Sequence, residues 1–158
     1  MKGQKAMTLA FVAIALVNVA CTTHSRGGAK LAAATNHAPD KEKDKLKIKI
    51  GSETFSATLE NTPAAKEFKG RLPLSLKMAE LNGNEKHVEL PKALTTDSRQ
   101  PGTIREGDLL LYGDRTLVLF YKTFKSPYSY TRLGKVDDST GLAASLGSGD
   151  VEVTFAAE

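Results

Sequence analysis

A single cysteine in 158 residues rules out a disulfide framework within the chain, and the formal charge of +4 gives a first impression of a basic protein. That impression dissolves when the charge is divided. From Leu46 to Glu158 the chain holds 15 Lys plus Arg against 15 Asp plus Glu, so the excess lies before Leu46 and the concentrated basic face of a nucleic-acid binder is missing.

Lys2 and Lys5 precede an apolar run from Ala6 to Val17, the layout of a secretory signal peptide and too short to span a bilayer comfortably. The run ends Val17-Asn-Val-Ala-Cys21, which resembles the lipobox of bacterial lipoproteins, in which the cysteine becomes the lipidated first residue. Asn18 departs from that pattern, and cleavage near Ala20 or within Ala32-Ala33-Ala34 is the competing expectation. Cys21 has no cysteine to pair with, which favours lipidation. Thr22 after it resembles the outer-membrane sorting context of a Gram-negative lipoprotein. The expectation is therefore a signal peptide over residues 1–20 and export to the cell envelope. A lipid anchor at Cys21 would face the periplasm if the host is Gram-negative.

Residues 21–45 contain small and charged side chains, ending Pro39-Asp-Lys-Glu-Lys-Asp-Lys45, with little to bury. They read as a disordered tether reaching roughly 25 to 30 Å on average. Residues 46–158 remain, enough for one domain with one core.

Leu46-Lys-Ile-Lys-Ile50 and Thr54-Phe-Ser-Ala-Thr-Leu59 alternate apolar and polar residues and flank a Gly51-Ser52-Glu53 turn, which predicts a hairpin. Thr62-Pro63 starts a helix, with Ala65, Phe68 and Leu72 on one side and Gly70 with Pro73 ending it. Leu74 to Ala79 alternates as a strand, Asn82-Gly83 turns, and Lys86 to Leu90 returns. Lys92 to Arg105 reads as an irregular loop. Leu109 to Tyr112 and Thr116 to Tyr121 are continuously apolar strands around Gly113-Asp114, so both of their faces must be covered. Tyr130 to Val136 is a seventh strand. Asp138 and Ser139 cap a short helix with Leu142 and Leu146 four apart, stopped by Gly147, and Val151 to Phe155 is the last strand. The order predicts a mainly β fold, a closed eight-stranded barrel capped by two short helices.

Several segments add to that order: Gly107-Asp108, Leu117-Val-Leu-Phe-Tyr121, Tyr128-Ser-Tyr-Thr-Arg-Leu-Gly134, Asn82-Gly83-Asn84 before Leu90-Pro91, and Gly147-Ser-Gly-Asp150. Together they resemble the compact bacterial cyclophilin-like domains over Lys45 to Glu158. The resemblance implies a cyclophilin-like barrel and raises peptidyl-prolyl isomerase activity, in which an Arg guanidinium withdraws density from the prolyl nitrogen. The family carries that Arg in a Phe-His-Arg run and follows it with a Gln-Gly-Gly-Asp run. Here the corresponding strands read Leu74-Ser-Leu-Lys-Met78 and Lys86-His-Val-Glu-Leu90, so neither run is present, and the Trp of the family's rim is absent. Arg71, Arg105 and Arg132 are the candidates to supply a guanidinium from elsewhere.

Other chemistries fail on inventory. His87 is the domain's one histidine and Cys21 lies outside the domain, so no zinc site of several His or Cys ligands and no cofactor is expected. Gly-x-Ser-x-Gly is missing, and His87 reads as a barrel-surface residue. Asp137-Asp138 reads as helix capping. What remains is aromatic: five of ten rings fall between Phe120 and Tyr130. Tyr112, Phe120, Phe124, Tyr128 and Tyr130, with Arg132 continuing the alternation, are the candidate ligand-binding residues. The expected function is a binding module for a peptide or small ligand, the alternative a divergent prolyl isomerase acting on envelope proteins. The rings name no particular ligand or oligomeric state.

Overall fold

The computed structural model describes residues 44–158, so the expected signal peptide, Cys21 and nearly all of the expected tether lie outside the described residues. Strands β1 (Lys45–Ile50) and β2 (Glu53–Leu59) form the first hairpin, and helix α1 (Pro63–Lys69) follows. Then come β3 (Leu74–Leu81), β4 (Glu85–Glu89), β5 (Gly102–Ile104), β6 (Asp108–Tyr112), β7 (Thr116–Phe120), β8 (Phe124–Ser126) and β9 (Thr131–Val136). Helix α2 (Leu142–Leu146) and β10 (Val151–Ala157) complete the chain. Eight strands close into an antiparallel barrel in the order β1-β10-β3-β4-β7-β6-β9-β2, while β5 and β8 pair separately as a small two-stranded sheet.

Alternation sends one face of each barrel strand inward. Leu46, Ile48 and Ile50 from β1, Ala57 and Leu59 from β2, Leu109 and Leu111 from β6, Leu117 and Leu119 from β7, and Val153 and Phe155 from β10 all join one buried core. Phe68 of α1 meets Phe155 edge to face at 5.8 Å, and Leu142 and Leu146 of α2 enter the same core. Each such side chain contributes about 1.5 to 3 kcal/mol when fully buried, so the interior dominates stability. Gly134 belongs to that geometry, because a Cβ there would lie 2.5 Å from the Thr58 carbonyl oxygen across the β2–β9 pair.

Several expectations need correction. Helix α1 keeps its predicted cap, Thr62 accepting from the Ala65 N–H, and ends at Lys69 with Gly70 as its C-cap, so that of its expected apolar side only Leu72 falls beyond it. Past Gly70 the bonds tighten, the Arg71 N–H to the Phe68 carbonyl and the Leu72 N–H to the Lys69 carbonyl, and Pro73, which has no N–H, cannot extend the helix. Helix α2 is not capped by Asp138 or Ser139. Its N-cap is Gly141 at φ 81°, because the Asp138 carboxylate is used earlier, accepting from the Thr140 N–H in the preceding turn. Asp137 is not a cap either, since its carboxylate receives the Thr58 hydroxyl and the Lys45 ammonium. The loop from Lys92 to Arg105 and the aromatic loop each hold a three-residue strand, β5 and β8, found only because they pair with each other. Strand β4 begins at Glu85, one residue before its expected start.

Candidate functional site

The apolar run of β7 divides by alternation. Leu117 and Leu119 face the barrel interior, whereas Val118 and Phe120 join Leu110 of β6, Ile104 of β5 and Tyr130 in a second, smaller apolar cluster. Phe124 of β8 packs on it. The expected cover over the second face of these strands is therefore the β5–β8 flap and the segment leading into β9. Tyr130 is held there by a two-way backbone bridge with Arg99.

The flap covers only part of that face. Beside it lies a groove of about 420 Å³, lined by Leu81, Asn84, Glu85 and His87 on the β3–β4 side and by Tyr112, Phe124, Tyr128 and Tyr130 on the other, with Val118 and Ser126 among its further contacts. The rings form a continuous series. Tyr128 meets Tyr112 at 6.1 Å, Tyr112 meets Tyr130 at 5.6 Å, and Phe120 lies 5.7 Å from both Tyr130 and Phe124. Edge-to-face and tilted packing supports each ring against its neighbours. Among the described residues, the exposed large apolar side chains are Leu81, Tyr112 and Tyr128, at 41, 48 and 59 % exposure, and all three border this groove.

The candidate residues thus separate. Tyr112, Phe124, Tyr128 and Tyr130 line the groove, and Phe120 lies fully buried beneath it as support. Arg132 does not reach it. Its side chain lines a neighbouring depression with Asp97, Arg99 and Thr131, and its guanidinium stands 3.7 Å from the buried Asp108 carboxylate. Arg71 donates to the Lys92 and Ala93 carbonyls, and no arginine among the described residues lines the groove. His87, expected on the plain barrel surface, is half-buried in the groove wall, because its register partner Val118 belongs to the outer cluster.

Glu85 escaped the sequence reading. It lies opposite Phe120 in register and is only 9 % exposed, and burial, followed by repulsion from Glu80, pushes its carboxyl from 4.5 up to about 6. Its signal is alternation: Glu85 and His87 share the face of β4 opposite Val88 and Leu90. The other face turns Lys86 inward, fully buried, where its ammonium meets the Glu80 carboxylate and the carbonyls of Gly147 and Gly149 at 2.8 and 2.6 Å. The Tyr121 hydroxyl donates to the same carboxylate at 2.8 Å, and burial together with Glu80 pushes that phenol up to about 12. Although burial raises Glu80, the hydrogen bonds from Lys86 and Tyr121 outweigh it and hold the carboxyl below its ordinary value. This inner network is satisfied and faces away from the groove.

Among the described residues, no group of three or more His, Cys, Asp or Glu side chains is placed to hold a metal ion, and no helix is long and apolar enough to cross a membrane. No curated protein matches the chain. A hypothetical protein of Archaeoglobus fulgidus, solved in solution, shares the fold with a TM-score of 0.57 at 16 % identity, over 77 % of this chain and 99 % of its own. A sequence model described as the Cyclophilin-like family matches residues 48–156. With that match spanning most of the chain and the closed barrel beneath it, the protein belongs to the cyclophilin-like family.

Proposed function

We propose that the domain is a binding module that holds a small or extended ligand in the outer groove, and that the chain works at the cell envelope, tethered through Cys21. One observation carries the binding reading: the exposed large apolar side chains among the described residues all border one concavity, which packed aromatic rings pre-form. Scattered surface hydrophobics need no explanation, but their convergence on a groove with Glu85, His87 and Asn84 does. The prolyl isomerase reading has less support, because no guanidinium faces the groove and neither family run is present. The envelope reading rests on the apolar run after Lys2 and Lys5 and on a cysteine without a partner.

The test is a titration of the full-length protein with a proline-containing peptide and a panel of small aromatic compounds, followed by amide chemical shifts. Shifts gathering at Tyr112, Tyr128 and Tyr130, and weakened by about 1 to 3 kcal/mol in Tyr130→Ala, support the module. Ligands that shift only residues outside the groove refute it. Accelerated prolyl isomerisation that disappears in Tyr130→Ala would replace it with the enzyme. For the tether, Cys21→Ser should leave the membrane fraction or remain unprocessed, and wild-type partitioning of that variant defeats the lipoprotein reading.

A further inference from the structure

Two acceptors in the groove wall have no partner. The Asn84 side-chain oxygen is buried without a hydrogen bond among the described residues. Beside it in sequence, Glu85 is 9 % exposed as a residue and lines the groove, and its carboxyl makes no side-chain hydrogen bond or ion pair among them. The contrast with other buried charges is sharp: Lys86 has three oxygen partners, and Asp108 accepts from the Arg105 N–H at 2.9 Å with Arg132 nearby. A charge largely withdrawn from water is ordinarily paired, so an unpaired Glu85 in a groove marks where a cationic donor belongs. Around it stand Tyr112, Tyr128 and Tyr130, whose ring faces attract cations.

We propose that the groove receives a small protonated amine, its N–H groups on the Glu85 carboxylate and its alkyl or aryl body against the tyrosine rings. This rests on the groove being a ligand site at all. An anion would meet the Glu85 charge, and a neutral apolar molecule would leave the Glu85 carboxylate without a partner. A volume of about 420 Å³ falls in the range of small-molecule sites, roughly 300 to 1,000 Å³, which favours a compact amine over an extended chain. The charged and titratable groups around Glu85 are Glu80 from β3, His87 from β4, Tyr112 from β6, Tyr121 beyond the end of β7, Lys125 from β8, and Tyr128 and Tyr130 from the segment before β9. Lys125 is the cation among the groove-lining residues. It is exposed, where solvent and salt screen its repulsion.

Benzylammonium and benzyl alcohol share shape and ring but differ in charge, so they separate this proposal from the one beneath it. Titrated into the full-length protein at pH 7.5 and followed by amide shifts at the groove, benzylammonium should bind at least tenfold more tightly. Glu85→Gln should erase that preference while benzyl alcohol binds as before. Lowering the pH through about 6 should weaken benzylammonium in the wild type, because Glu85 takes up a proton, and leave Glu85→Gln flat. Equal binding of the two probes overturns the amine proposal and leaves the groove standing. Absence of groove shifts with both probes and with the prolyl peptide overturns the groove itself. A pH dependence that survives in Glu85→Gln overturns the role given to Glu85. A short lysine peptide binding tenfold more tightly than benzylammonium overturns the small-molecule assignment in favour of a peptide.

Discussion

The barrel interior and the cluster beneath the β5–β8 flap are built from the same strands, yet they solve different problems. Inside, strands β6 and β7 meet side chains from every other barrel strand and both helices, and the apolar surface is closed on all sides. Outside, Leu110, Val118 and Phe120 are covered by two three-residue strands and Tyr130, and the cover stops short. Packing that is complete produces stability; packing that is interrupted at an aromatic edge leaves a groove. The difference follows from area: a flap of six paired residues cannot cover a face that continues to Tyr112 and Leu81.

Truncation should separate the two regions. Phe155→Ala, in the closed interior against Phe68, is expected to cost about 3 to 5 kcal/mol in chemical denaturation, with amides of all barrel strands losing protection together. A cost under about 1 kcal/mol would break the claim that the interior is one core. Lys86→Ala should cost about 3 kcal/mol, since it leaves Glu80 in the wall without its ammonium; Lys86→Met should recover part of that by restoring volume without charge.

Outside, the effect should be smaller and local. Phe124→Ala should cost about 1 to 2 kcal/mol and speed hydrogen exchange at Gly102–Ile104 and Phe124–Ser126 while the barrel amides keep their protection. Loss of protection throughout would merge the two regions into one cooperative unit. The smallest effect has the opposite sign. Because folding raises the Glu85 carboxyl from 4.5 to about 6, its contribution to stability is fully present below 4.5 and is lost as pH rises through 6. Glu85→Gln should therefore stabilise the protein by about 1 kcal/mol at pH 7.5 and by nothing measurable at pH 4, in paired thermal or denaturant melts. A stabilisation independent of pH would show that the carboxyl is not raised.

The same division governed what could be read from residue order. The barrel strands announced themselves because a half-buried strand must alternate, as Leu46 to Ile50 and Val151 to Phe155 do. The continuous apolarity of Leu109–Leu111 and Leu117–Phe120 even required a second cover. Its identity stayed hidden, since Gly102-Thr-Ile104 and Phe124-Lys-Ser126 are too short for periodicity and exist only through their pairing. The ring cluster was legible by density along the chain. Glu85 and His87 were not, because their place in the groove depends on the register of β4 against β7. Arg132 shows the limit of alternation alone: it lies on the outer surface, but the bulge between Leu109 and Leu110 sets it against Asp108, in a depression that borders Tyr130 and not in the groove.

Strand β1 is bonded on one side to β2, its neighbour in sequence, and on the other to β10, in register from Leu46 with Ala157 to Ile50 with Val153. The seam that seals the cylinder is thus the pairing of the earliest described strand with the last. During synthesis, β1 and β3 each keep an open ladder edge until Val151–Ala157 emerges, although every other strand is already available. Such a barrel keeps two edges open to strand addition until that strand pairs with both of them, and the one event closes both.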